Sequence, residues 1–297
     1  MAFNAKTFQT RSLSALIFVI VMLAGILYNQ WSFLVLFSVV HFGCWIEYQK
    51  LMAAIYPEYA FTSAMHRNSI MLLGFCFMLL NCSNALFVQR FLISGIGWYG
   101  IWLFCLVFCL LEVVLKKHFS LKSIGVSVGG LVYISLSWGL LINLRSFPIH
   151  YSFLENSYGD FGWVLPAIII ATIWINDTMQ YLVGSFFGKT PFSSISPNKT
   201  WEGTAGGSLL AIITVSVSCY FWLGTNAFFA VIVPTVAAIT GTLGDLLESK
   251  IKRLAGVKDS GQILPGHGGF LDRFDSLLIA TPAIWLVLQL LSFLQLL

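Results

Sequence analysis

The sequence is short of charge. Its 297 residues include only 12 acidic and 16 basic side chains, 9% of the total, whereas a soluble domain carries charge on about 25%. So few ionic groups cannot clothe the water-facing surface of a chain this long. A soluble globular protein is excluded, and 58% hydrophobic residues exclude a disordered one. The six cysteines form no CxxC pair and no Cys/His clip. Most lie in apolar runs and read as small buried hydrophobes rather than metal ligands or a secreted disulfide scaffold. The formal charge of +4 is not gathered into a basic stripe, so nothing points to nucleic acid. Heptads, low-complexity tracts and internal repeats are also missing, and no polar stretch is long enough for a separate soluble domain.

What the chain has is apolar length. Nine segments, roughly 12–28, 31–46, 69–88, 98–115, 123–143, 162–187, 204–223, 227–247 and 276–296, approach the length of about 20 residues that a bilayer core requires of a helix. The expected fold is an all-α integral membrane protein, one polytopic bundle of about nine transmembrane helices. The first segment follows Lys6 and Arg11 like a signal-peptide core. No small-residue cleavage site follows it, however, and Asn29-Gln30-Trp31 leads straight into the next span, so it reads as retained. With the N-terminus in the cytoplasm, every Lys and Arg except Arg90 and Arg145 falls on the inner side, as the positive-inside rule demands. The outer loop holding Glu155 and Asp160 is polar without being basic.

Charge that is scarce elsewhere concentrates in 245–275, where Asp245, Glu248, Asp259, Asp272 and Asp275 stand among Lys250, Lys252, Arg253, Lys258 and Arg273. Orientation needs only Lys and Arg, so the acids require another explanation. On a helix, Asp245, Glu248, Ser249 and Lys252 share one face. The bland account is a membrane-surface helix with Glu248 and Lys252 paired at i, i+4. It is weakest for Asp245, which sits among leucines where a carboxylate is costly and marks function. Next come Lys258-Asp259-Ser260-Gly261, then Pro265-Gly266-His267-Gly268-Gly269, then Leu271-Asp272-Arg273-Phe274-Asp275. Glycines around His267 let backbone amides approach an anion, and the ninth helix starts at the same place. Asp272 as a helix cap with Asp275 behind it is the structural alternative. Carboxylates beside Lys and Arg at a glycine-rich loop suit a phosphate ester bound with a divalent cation.

Two further stretches carry chemistry. In the sixth segment Asp177 lies deep in apolar sequence, with Tyr181 on the same helix face; alone, it would be too costly to keep charged. Ser196-Pro197-Asn198-Lys199-Thr200-Trp201-Glu202-Gly203 follows. Ser196 or Thr200 can cap the seventh helix, and Gly203, Gly206 and Gly207 can pack it. Neither role accounts for Asn198, Lys199 or Glu202.

Taken together, Ser249-Lys250-Ile251-Lys252-Arg253, Lys258-Asp259-Ser260-Gly261, Pro265 to Gly269 and Leu271 to Asp275 resemble the signature of phosphatidate cytidylyltransferases, the CDP-diacylglycerol synthases. Gly244-Asp245, Ser196 to Gly203, and Asp177-Thr178 with Tyr181, Gly184, Phe187, Gly188 and Lys189 resemble that family too. The likeness covers about residues 160–280. It divides a single membrane domain, 1–297, into N-terminal spans (1–160) and a catalytic part (161–297). The sequence departs from the family pattern at Met179 and Gln180, where small residues are usual, and at Ser185, where a basic one is common.

The resemblance implies conversion of CTP and phosphatidic acid into CDP-diacylglycerol and pyrophosphate at the cytoplasmic face of a bacterial inner membrane, by a homodimer. It further implies Mg2+ on Asp245 and Asp272, with room for a second metal or a monovalent cation. Asp275 would support these acids, and Lys252, Arg253 and Arg273 would grip phosphates. Lys199 with Ser196 and Asn198, together with Asp177, Lys258 and His267, would belong to the substrate site. The nearest alternatives keep the nucleotide and change the lipid: a CTP-dependent polyprenol kinase or an ether-lipid cytidylyltransferase. A CDP-alcohol phosphatidyltransferase is disfavoured because its Asp-Gly…Ala-Arg…Asp…Asp spacing is absent. An ion-coupled transporter would distribute its acids through paired broken helices.

Overall fold

A computed structural model of the protein describes residues 5–110, 120–149, 160–193, 195–262 and 268–296; the side chains of residues 5–12 are not described. Among the described residues the fold is all-α apart from one short hairpin and an isolated bridge between Pro191 and Thr200. The helices are α1 (Ala5–Leu27), α2 (Gln30–Ile55), α3 (Pro57–Ala60), α4 (Ala64–Leu80), α5 (Ile93–Cys109), α6 (Leu121–Gly130), α7 (Leu136–Leu144), α8 (Val164–Phe187), α9 (Trp201–Leu223), α10 (Ala227–Leu254) and α11 (Leu271–Phe293). A π-helical turn, Leu131–Ser135, joins α6 to α7. The strands β1 (Phe87–Val88) and β2 (Phe91–Leu92) pair antiparallel, Phe87 with Leu92 and Val88 with Phe91.

Each of the nine apolar segments read from the sequence is helical over most of its described length. Among the described residues, five helices are long and apolar enough to cross a membrane: Gln30–Ile55, Leu121–Leu144, Trp201–Leu223, Ala227–Leu254 and Leu271–Phe293. Local chemistry sets several boundaries. Asn29 and Ser32 form a reciprocal capping box at the start of α2, and Ser63, Ser120 and Thr200 cap α4, α6 and α9. Each satisfies amides that have no partner within the helix. Gly224, at φ 61°, ends α9 in the left-handed conformation that suits glycine. None of the six cysteines is in a disulfide, and four of them are buried.

The chain divides into two units. The first comprises 1–143 with 251–274, and the second 144–250 with 275–297. In the first, α2 packs against α1, α3, α4 and α6 around Phe33, Phe37, Trp45, Tyr59 and Trp138, all essentially inaccessible. Polar bonds fix its rotation. Trp45 Nε1 donates to Ser135 Oγ at 2.9 Å, and the His41 ring meets the same oxygen at 3.1 Å. Tyr48 donates to the Val126 carbonyl at 2.9 Å. The acceptor Ser135 closes the π-helical turn, a distortion often found at functional places.

In the second unit α8 lies along α9. Buried Gln180 donates to Thr242 Oγ1 at 2.8 Å and to Ser208 Oγ at 3.3 Å, and Ser208 donates to Asn176 Oδ1 at 2.8 Å. The departure at Gln180 thus serves a polar contact joining α8, α9 and α10. Such bonds hold helices together where apolar surface cannot, because lipid is as apolar as the helices themselves. The opposite face of α9 exposes Leu209, Ile213, Val217 and Phe221, as contact with lipid requires. A Cβ on Gly207 would stand 2.3 Å from the Gln180 backbone nitrogen. Gly207→Val is therefore expected to force α8 from α9 at a cost of about 1–3 kcal/mol, read as a lower melting temperature in detergent.

Candidate active site

The second unit assembles its site from a loop, two helices and the body of α11. After α8 the chain doubles back. Phe192 N–H donates to the Lys199 carbonyl at 2.8 Å, Trp201 N–H donates to the Thr190 carbonyl at 2.9 Å, and Lys199 N–H donates to the Ser196 carbonyl at 3.1 Å. The rings of Phe192 and Trp201 pack with centroids 4.4 Å apart. Glu202, unexplained in the sequence, pins this loop by accepting from the amides of Lys189 and Thr190, both at 3.1 Å, and from the Thr190 hydroxyl at 2.8 Å. The turn that results carries half-buried Ser196, exposed Asn198 and half-buried Lys199. Lys199 forms an ion pair with Asp245 of α10.

Three more acids lie near that pair. Asp177 on α8 is within electrostatic reach of Lys199 and Asp245. Asp275 on α11 is within reach of Asp245, Glu248 and Asp177. Gly244 makes the approach of α10 to α11 possible, since a Cβ there would stand 2.5 Å from the Asp275 carbonyl oxygen. Glu248 is fully buried, so its own side chain does not lie on a membrane-surface face of α10. Among the described residues, four carboxylates, Asp177, Asp245, Glu248 and Asp275, thus gather near Lys199.

The first unit carries the other signature residues. Lys252 donates to Asp272 Oδ1 at 2.6 Å. Asp272 Oδ2 accepts from the amides of Gly269 and Ser260 at 2.8 and 2.9 Å and lies 3.0 Å from Ser260 Oγ. These donors fix the carboxylate's direction. The alternative of Asp272 as the cap of α11 is corrected by the structure. The amides of Phe270 and Leu271 instead bond Glu47 of α2, each at 2.9 Å. Arg253 is exposed and donates to the Val257 carbonyl at 3.3 Å, closing the end of α10. Lys258 is exposed. His267 lies outside the described residues. Arg273 is exposed and borders a cavity of about 200 Å³ whose other walls are apolar, among them Phe18, Met22, Val40, Phe270 and Phe274.

Glu47 is the residue that sequence reasoning missed. A span ending at 46 left it in a loop, but α2 runs on to Ile55 and Glu47 is only 2% exposed. The signal was a lone carboxylate in the apolar stretch Cys44-Trp45-Ile46-Glu47-Tyr48, a default candidate for function when it falls within a membrane helix.

Among the described residues, no group of three or more His, Cys, Asp or Glu side chains is arranged to hold a metal ion by itself. Among the described residues, the donors in these clusters are carboxylates, without thiolate or imidazole. That set fits magnesium, which takes one or two carboxylates and completes its shell with water and substrate phosphate.

Comparison with known proteins gives the same direction. A Bacillus subtilis protein named phosphatidate cytidylyltransferase is 35% identical over 202 residues, 67% of this chain and 71% of that one. Proteins of the same name from Staphylococcus haemolyticus and Mycobacterium tuberculosis are 36% and 42% identical over 178 and 131 residues. These alignments cover 59% and 44% of this chain, and 63% and 39% of the relatives. Alignment thus spans less than two thirds of the staphylococcal and mycobacterial proteins. A model of the cytidylyltransferase family matches residues 9–291, nearly the whole sequence with every segment of the two clusters inside it, and the chain belongs to that family.

Proposed function

We propose that the protein is a phosphatidate cytidylyltransferase of a bacterial inner membrane, with its site facing the cytoplasm. A phosphate oxygen of phosphatidic acid attacks the α-phosphorus of CTP. The bond from that phosphorus to the bridging oxygen breaks, and pyrophosphate leaves with the bonding electrons. Phosphatidate brings its own nucleophile, so no serine or cysteine intermediate is required. The work is to bring two polyanions together and to receive the charge that develops on the leaving group.

One observation carries the reading. The acids of the signature are held against lysines by fixed partners, Lys199 on Asp245 and Lys252 on Asp272. The names of the relatives supply the substrates. Asp245 and Asp272 are each proposed as a carboxylate for Mg2+, and Asp177 and Asp275 lie near Asp245. When bound, the ion neutralises phosphate charge and stabilises the departing pyrophosphate. Lys199 and Lys252 supply charge to phosphates. Arg273, beside an apolar cavity, suits a substrate that joins a phosphate to hydrocarbon. The excess of Lys and Arg in the inner segments supports nine spans with a cytoplasmic N-terminus, and the family supports a homodimer.

Purified protein is expected to form CDP-diacylglycerol and pyrophosphate from CTP and phosphatidic acid, and to stop when magnesium is chelated. Phosphorylation of a polyprenol, with phosphatidic acid left untouched, would reassign the lipid. Asp245→Asn and Asp272→Asn are each expected to lower kcat on the order of 10²-fold or more while the helical circular dichroism is preserved. Near-normal turnover in both would refute the metal assignment.

A further inference from the structure

We propose that Glu47, from the N-terminal half, is a positioning residue for Asp272; the proposal deepens the reading above and rests on it for the role of Asp272. Glu47 Oε2 accepts from Ser260 Oγ at 2.7 Å and from the Leu271 amide at 2.9 Å, and Oε1 accepts from the Phe270 amide at 2.9 Å. One carboxylate therefore ties together chain segments on both sides of residues 263–267. Gly261 and Gly269 are matched to it, because a Cβ at either would stand 2.3 or 2.2 Å from Glu47 Oε1. Bonds from Trp45 and Tyr48, its near neighbours on α2, fix the helix that carries it.

The arrangement separates two tasks that would otherwise fall to one side chain. The first amides of a helix attract the nearest acid, and Asp272 stands in the first turn of α11. Because Glu47 takes the Phe270 and Leu271 amides, Asp272 is turned to Gly269, Ser260 and Lys252 instead. Ser260 touches both carboxylates through one hydroxyl, 2.7 Å from Glu47 and 3.0 Å from Asp272. A glutamine at position 47 has one acceptor oxygen where the glutamate has two, and its amide group would face backbone donors. Asp272 would then be drawn toward the vacated amides.

The test is a cycle of Glu47→Gln, Asp272→Asn and the double variant, measured by kcat, by KM for phosphatidic acid and by melting temperature. Glu47→Gln is expected to lower kcat at least about tenfold with KM within about twofold, and to have no further effect on residual turnover in the Asp272→Asn background. The two substitutions should also be non-additive in melting temperature. An equal fold-loss in both backgrounds, or a melting loss with kcat intact, would show a purely structural cap and overturn the proposal. If Glu47→Gln does not fold, Ser260→Ala replaces it, because it keeps the α11 amides on Glu47 and cuts the hydroxyl link. Lowered kcat at an unchanged melting temperature supports the proposal; full activity refutes it. Should the wild type fail to turn over CTP and phosphatidic acid, the functional reading fails, while coupling of positions 47 and 272 in melting temperature still decides the geometric one.

Discussion

Asp272 stands in the first turn of a largely apolar helix, and its charge is tolerable only because donors surround it. The amides of Gly269 and Ser260, the Ser260 hydroxyl and the Lys252 ammonium all face its two oxygens. An uncompensated carboxylate in such surroundings would cost several kcal/mol or take up a proton. Gly269, Ser260 and Glu47 become intelligible once this requirement is recognised. Each either donates to Asp272 or relieves it of another duty.

The second unit meets the same constraint by other means. Asp245 is matched by Lys199, which arrives on a loop that Glu202 anchors and Thr200 terminates. Gly244 brings Asp275 alongside. Here, among the described residues, Asp177, Asp275 and Glu248 lie near the Lys199–Asp245 pair, whereas Asp272 in the first unit is faced by Lys252, Ser260 and Gly269.

Apolar packing and polar chemistry are interleaved along the helices. Trp45 and Tyr48 lock α2 and so fix Glu47 between them. Asn176 and Gln180 knit α8 to its neighbours on either side of Asp177. The unusual Gln180 is accommodated because two hydroxyls, those of Thr242 and Ser208, lie within reach.

The sequence by itself determined the class of protein, the places of its helices and the residues of the signature. Charge scarcity and apolar runs are composition, while caps such as Thr200 and stops such as Gly224 act within a turn of their own position. The Lys252–Asp272 and Lys199–Asp245 pairs, the burial of Glu248 and the part taken by Glu47 were decided by tertiary structure. Glu47 and Leu271 are separated by 224 positions. No local periodicity records which distant amide a buried carboxylate will meet; that follows only when α2 has been rotated by its own side-chain bonds and α11 has begun beside it.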